Sequence, residues 1–127
     1  MEVLKKILII GSGGFVGSVT RYFVSKLNLA LDFHSIPIGT MLANVLGCYI
    51  IGVLTGIAEK SVLLTLEWRL FLMVGFCGGF TTFSSFANEN LMLLHSGAFL
   101  SILLYTGLSI FLGFLAVYLG YVTTNAF

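Results

Sequence analysis

Residues 75–86 carry the side chains of this chain that are best suited to holding a small ion. The segment reads GFCGGFTTFSSF, with three glycines, two threonines and two serines inside an apolar stretch. Glycine frees the backbone, and hydroxyl groups are costly in hydrocarbon unless they have partners. We therefore expect a membrane helix interrupted near the bilayer midplane at Gly78 and Gly79, where unwound carbonyl groups suit a hard cation such as sodium.

Polar side chains recur at helical spacing on three apolar segments. These polar lines are Thr40 and Asn44 on the second segment, Thr81, Ser84, Ser85 and Asn88 on the third, and Ser101, Tyr105 and Ser109 on the fourth. Each residue alone is explained by hydrogen bonding between helices, worth about 1 kcal/mol or less. Three lines together favour a narrow aqueous path between the helices.

The charged and aromatic residues favour an anion as the passing species. No acidic residue occupies the middle of an apolar segment, and Glu89 comes closest. Arg21 places a positive charge at the end of the first segment, although it could equally be an interfacial anchor beside Tyr22. Phe83 and Phe86 share a helix face near the hydroxyls, and their ring edges are positive. Core packing is the alternative role for both rings.

The composition predicts an all-α membrane protein. Hydrophobic residues make up 58% of the 127 residues, charged residues 9%, and the mean hydropathy is +1.09. A net charge of +1 argues against a nucleic-acid partner. A helix needs roughly 20 apolar residues to cross a bilayer. We expect one domain over residues 1–127, with four spans at about 7–27, 36–58, 68–94 and 98–122.

Short joints make neighbouring spans antiparallel and place both termini on one side. The face with the termini holds Lys5, Lys6, Lys60 and Arg69, and the opposite face holds Arg21 and Lys26. This weak bias leaves two orientations open: termini fixed in the cytoplasm, or insertion both ways with pairing to an inverted copy. Small residues at four-residue spacing, such as Gly13 and Gly17, predict close helix packing and a homo-oligomer.

Three motifs in order resemble the small Fluc (CrcB) fluoride channels over essentially the whole chain. They are GGFVGSVTRY at residues 13–22, PIGTMLANVLG at 37–47 and GGFTTFSSF at 78–86. The last is the most specific. The resemblance implies an antiparallel, dual-topology homodimer with a broken third helix and two fluoride pores.

The resemblance also implies roles for individual residues. Asn44, Phe83 and Phe86 are expected to line the pores and contact the anion. Ser84, Ser85, Tyr105 and Ser109 resemble the family's polar track. We add Thr40, from the polar line of the second segment. A structural sodium ion between the subunits is implied at the main-chain carbonyls of Gly78 and Thr81. Arg21 matches the family's arginine, for which we expect an electrostatic role.

The sequence therefore predicts a passive, fluoride-selective channel and not an enzyme. It would export fluoride from a microbial cytoplasm across the plasma (inner) membrane and confer fluoride resistance. One alternative is a small proton-coupled multidrug exporter, also a four-helix antiparallel dimer. That class needs a glutamate within the first span, and residues 7–19 contain none. A non-transporting assembly subunit is a third class, but it has no need of three polar lines.

Overall fold

Four apolar helical spans make up the chain, as the composition predicts. The computed structural model describes residues 1–31 and 33–127; Asp32, in the first predicted joint, lies outside the described residues. The part described contains no strand, and its spans are long and apolar enough to cross a membrane. They run Glu2–Ala30, Ile38–Lys60, Leu66–His95 and Phe99–Ala126. The expectation of four spans is confirmed, with edges that differ by a few residues.

The third span is made of several helical segments. It begins with an α-helical turn at Leu66–Arg69, continues as a π-helix over Leu70–Cys77, and returns to α-helix at Gly78–Phe80 and Phe83–His95. Thr81 and Thr82, between the last two segments, have extended torsion angles (φ −86°, ψ 154° and φ −151°, ψ 122°). We call these two residues the Thr81–Thr82 joint.

The expectation of unwound backbone at Gly78 and Gly79 is corrected by this geometry. Gly78 has helical torsion angles (φ −62°, ψ −37°), and the extended residues come three positions later. Threonine is β-branched and favours extended backbone. Its hydroxyl also serves as a helix N-cap, because Thr82 Oγ1 accepts a hydrogen bond of 3.1 Å from the amide of Ser85.

Glycines bring the first span against the first half of the third, backbone to backbone. A Cβ atom on Gly13 would lie 2.2 Å from the carbonyl oxygen of Phe71, and one on Gly75 would lie 2.7 Å from that of Ile10. The second and fourth spans meet in the same way, since a Cβ on Gly52 would lie 2.2 Å from the carbonyl oxygen of Val117. The predicted small-residue packing therefore joins the spans in two pairs.

The joint between the first two spans is tied to the fourth span. His34 and Ser35 have positive φ values of 51° and 62°, which make a tight turn without glycine. Ser101 Oγ donates a 2.6 Å hydrogen bond to the carbonyl oxygen of His34. A buried apolar cluster of Ile36, Leu93 and Tyr105 lies at this end of the bundle. These contacts hold Tyr105 of the fourth span in a fixed position.

Candidate functional site

Glu89 is the centre of a hydrogen-bonded cluster to which all four spans contribute. Thr40 Oγ1 donates to Glu89 Oε1 at 2.7 Å, and Tyr105 Oη donates to Oε2 at 2.6 Å. Asn28 Nδ2 in turn donates to Thr40 Oγ1 at 3.1 Å, and its Oδ1 accepts from the Thr40 amide at 3.1 Å. Thr40 and Tyr105 are almost fully buried, at 3% and 0% exposed. We call these four residues the Glu89 cluster.

The Glu89 cluster gives Glu89 and Asn28 contacts that the sequence did not predict. We expected Glu89 to lie near the end of the third span with no assigned role, and Asn28 to be part of a joint. Instead the Glu89 carboxylate is half-buried and accepts hydrogen bonds from two hydroxyls that we expected in the pore. Glu89 lies four residues after Ser85 and so continues the polar line of the third span. This spacing is the sequence signal that could have identified it.

Asn44 is hydrogen-bonded to the backbone of the Thr81–Thr82 joint. Its Nδ2 donates to the carbonyl oxygen of Thr82 at 3.0 Å, and the amide of Thr82 donates to Asn44 Oδ1 at 2.7 Å. Both ends of the side-chain amide are therefore engaged by one residue. Asn44 thus replaces the hydrogen-bond partners that the backbone of Thr82 would have in a continuous helix.

Arg21 approaches the same joint from the first span. Its Nε donates a hydrogen bond of 2.9 Å to the carbonyl oxygen of Gly79, and the side chain is half-buried. The expected electrostatic role therefore has a defined target, the C-terminal end of the short helix Gly78–Phe80. A positive charge at a helix C-terminus interacts favourably with the last carbonyl groups.

An aromatic row runs from the exposed side of the third span to the Glu89 cluster. The ring centroids of Phe83 and Phe86 are 5.8 Å apart at an interplanar angle of 46°. Phe86 then meets Tyr105 at 5.0 Å and 72°, an edge-to-face contact. Phe83 is 79% exposed on the single chain. The two phenylalanines thus share a face, as their spacing predicts, and only Phe86 packs in the interior.

A cleft of about 490 Å³ lies beside the joint. Its lining includes Asn44, Thr81, Thr82, Phe83, Phe86 and Ser109. Ser109 Oγ is buried and has no hydrogen-bond partner among the described residues. Ser84 is exposed, and its hydroxyl lies 3.2 Å from Thr82 Oγ1. Ser85 contacts Thr82 through its amide. The predicted pore residues therefore divide between this cleft, the Glu89 cluster and the first turn after the joint.

A larger cleft of about 570 Å³ lies at the loop between the second and third spans. Its only arginine, Arg69, already donates to the carbonyl oxygens of Leu64 and Ala58, each at 3.0 Å. It contains no residue of the three polar lines. Its lysine, Lys60, also donates to a main-chain carbonyl oxygen, that of Thr124. Because both cationic groups bind neighbouring backbone, we favour the cleft beside the joint as the functional one.

Two main-chain carbonyl groups beside the joint are candidates for a cation. Among the described residues, no hydrogen bond is made to the carbonyl oxygen of Gly78 or of Thr81. The amide of Thr82, which a continuous helix would direct to Gly78, is taken by Asn44. Carbonyl oxygens are suitable ligands for a hard cation. Both groups named from the family resemblance are thus available for one.

The fold and the cleft together define a small multi-span membrane protein with an aromatic and hydroxyl-lined site beside a helix joint. A family model described as "CrcB-like protein, Camphor Resistance (CrcB)" matches residues 8–121. The chain therefore belongs to the CrcB family, and the resemblance drawn from the three motifs is confirmed.

Curated relatives match almost the whole length of the chain. A protein of Azobacteroides pseudotrichonymphae is 43% identical over 125 residues, covering 98% of this chain and all of the relative. A Chlorobium phaeobacteroides protein is 42% identical over 94% of this chain and 92% of its own, and one from Campylobacter jejuni is 42% identical over 94% and 98%. Each is named "Fluoride-specific ion channel FluC". Those names agree with the expectation that the chain is not an enzyme.

Proposed function

We propose that this protein is a fluoride-selective channel through which fluoride leaves a microbial cytoplasm by passive electrodiffusion. The names of its full-length relatives support this function. The observation that carries it at the site is the cleft beside the joint, where phenylalanine rings and the unpaired Ser109 hydroxyl lie together. Fluoride holds its water tightly, so a pore must replace that water with hydrogen-bond donors and positive ring edges.

The anion path runs along the aromatic row and the polar lines. Phe83 and Phe86 contribute ring edges, and Ser84, Ser85 and Ser109 contribute hydroxyl groups near them. Thr40 and Tyr105, which belong to the Glu89 cluster, continue the path to Glu89. The second, third and fourth spans each contribute donors to this path, which suits a small anion that moves in steps.

The working unit is an antiparallel homodimer with dual topology. Support comes from the exposure of functional groups on the single chain: Phe83 is 79% exposed, and Gly78 is exposed beside it. An aromatic ring that serves a water-excluding pore needs a second surface to close it. Two inverted copies supply that surface twice, once for each pore.

A sodium ion between the subunits completes the assembly. In this proposal the Thr81–Thr82 joint is a break in the third helix at the bilayer midplane, and the carbonyls of Gly78 and Thr81 from both copies bind the ion. The ion would neutralise the partial charge of carbonyl groups that have no hydrogen-bond donor. Its role is structural, and no part of the fluoride path depends on chemistry at the metal.

Anion efflux from liposomes that contain the purified protein tests the proposal. Liposomes loaded with fluoride should release it when a potassium ionophore is added, and liposomes loaded with chloride should not. Release of both anions would contradict selectivity. Retained fluoride together with proton-coupled exchange of a cationic dye would favour the multidrug exporter.

A further inference from the structure

The Thr81–Thr82 joint is held from two other spans at once. Asn44 of the second span makes two hydrogen bonds, of 3.0 and 2.7 Å, with the backbone of Thr82. Arg21 of the first span donates a hydrogen bond of 2.9 Å to the carbonyl oxygen of Gly79. One side chain therefore holds the backbone within the joint, and the other holds the helix end before it.

We propose that Arg21 and Asn44 are positioning residues that fix the geometry of this joint. Through the joint they set the positions of the Gly78 and Thr81 carbonyls and of the Phe83 ring. For Asn44 this role is added to the pore-lining role that the family resemblance implies, since only one of its two amide N–H donors is used at Thr82. The inference rests on the proposed function, because joint geometry affects activity only if an ion binds or passes there.

Asn44 acts by redirecting one backbone hydrogen bond. In a continuous helix the amide of Thr82 would donate to the carbonyl of Gly78, four residues earlier. Asn44 Oδ1 accepts that amide instead, and Asn44 Nδ2 donates to the carbonyl of Thr82. Thr82 is thereby satisfied in an apolar environment, which tolerates few unpaired backbone groups. The carbonyl of Gly78 is left free for another partner.

Arg21 acts on the other side of the joint, where the short helix Gly78–Phe80 ends. The close approach of the first and third spans makes the contact possible, since a Cβ on Gly79 would lie 2.5 Å from the carbonyl oxygen of Gly14. Arg21 lies two helical turns after Gly14 on the same helix. Its guanidinium can therefore reach the Gly79 carbonyl from a rigid base, and its charge suits the helix C-terminus.

Hydrogen–deuterium exchange combined with fluoride titration tests the two roles. The variants are Arg21→Gln, Asn44→Leu and Asn44→Asp. The last retains the acceptor for the Thr82 amide and loses the donor. The matched control is Arg69→Gln, which removes a guanidinium that caps carbonyl groups in the loop outside the joint. All are measured as full-length protein in nanodiscs and in liposomes.

We expect amide exchange in residues 78–86 to rise about tenfold or more in Asn44→Leu and Arg21→Gln, and less in Asn44→Asp. Exchange in residues 99–110 should not change. Maximal fluoride efflux should fall more in Asn44→Leu and Arg21→Gln than in Asn44→Asp. The fluoride concentration for half-maximal efflux should stay within about twofold of wild type. Arg69→Gln should resemble wild type in both measurements.

Two results would overturn the inference. The first is unchanged exchange in residues 78–86 in both Asn44→Leu and Arg21→Gln. The second is a raised half-maximal fluoride concentration in Asn44→Leu with wild-type exchange, which would make Asn44 a direct anion contact. If wild-type protein releases no fluoride, the proposed function fails, and the exchange data still decide whether the two side chains hold the joint.

Discussion

At the scale of single residues, Glu89 and a passing anion compete for the same two hydroxyl hydrogen-bond donors. The hydroxyls of Thr40 and Tyr105 both donate to its carboxylate. A hydroxyl has one proton, so it can donate to fluoride only when it releases Glu89. Hydrogen bonds to a charged group are worth about 1.5–3 kcal/mol each. Glu89 therefore sets how readily these two donors become available.

We expect Glu89→Gln to reduce fluoride efflux about tenfold, because one of the two buried hydroxyls would then face an N–H group, lose a hydrogen bond worth about 1.5 kcal/mol, and no longer be held in the direction from which it can donate to the anion. Efflux from liposomes measures the change, and size-exclusion chromatography checks assembly. The matched control is Glu59→Gln, which removes an exposed carboxylate that accepts a 2.7 Å hydrogen bond from Tyr121. Equal losses in the two variants would contradict a specific role for the Glu89 cluster.

The ring of Phe83 provides the second test at residue scale. Phe83→Ile keeps an apolar side chain but removes the positive ring edge, so fluoride efflux should fall sharply while the oligomer still assembles. Phe114→Ile is the control, since Phe114 is 76% exposed on the fourth span and outside the cleft. Unchanged efflux in Phe83→Ile would remove this ring from the anion path.

At the scale of the elements, backbone contact between spans fixes where the joint lies. The first span meets the third at glycines, and this places its Arg21 beside the end of the helix Gly78–Phe80. The second and fourth spans form the other pair and bring Asn44 and Ser109 to the same cleft. The joint thus lies where the two pairs of helices meet.

Gly13→Ala tests this contact between helices. In an isolated helix the change would stabilise by up to about 1 kcal/mol. Here the added Cβ would lie 2.2 Å from the carbonyl oxygen of Phe71, so we expect destabilisation of about 1–3 kcal/mol. Gly11→Ala is the control, because its Cβ would meet nothing within 4 Å. Thermal unfolding in mild detergent should separate the variants; equal melting temperatures would contradict the packing.

The spans could be predicted from the sequence because bilayer thickness sets their length and local apolar runs satisfy it. The first helix begins at Glu2 and not near residue 7, and its Lys5 pairs with Glu67 at the start of the third span. That contact joins residues 62 positions apart, and local composition carries no trace of it.

The details of the site depend on distant partners in the same way. Phe83, Phe86 and Asn44 could be named because they lie in family motifs, and the structure brings them to one cleft, while their contact with the anion stays a prediction. The place of the extended residues depends on Asn44, 38 residues before Thr82, and the role of Glu89 depends on Tyr105, 16 residues after it. The glycine content predicted extended backbone at Gly78 and Gly79. The extended residues are instead Thr81 and Thr82, where Asn44 forms hydrogen bonds with the backbone of Thr82.

At the scale of the whole molecule, three of the basic residues at the face that holds the termini make polar contacts there. Lys5 pairs with Glu67, Lys60 Nζ donates to the carbonyl oxygen of Thr124 at 2.8 Å, and Arg69 caps the loop before it. Four Lys and Arg residues at this face against two at the other are a weak bias, so the proposed dual topology predicts that the chain inserts in either orientation.

Paired charge variants test the dual topology directly. Val62→Lys with Leu63→Lys adds charge at the face with the termini, where the two side chains are 97% and 81% exposed. Leu29→Lys with Leu31→Lys adds charge at the opposite face, where they are 92% and 49% exposed. Each pair should fix one orientation, because added lysines are retained in the cytoplasm. We expect either variant alone to give little fluoride efflux from cells, and the two expressed together to restore it, because only the mixture supplies inverted copies. Full efflux from each variant alone would contradict the antiparallel dimer, and loss of efflux in the mixture would show that the lysines damage the fold.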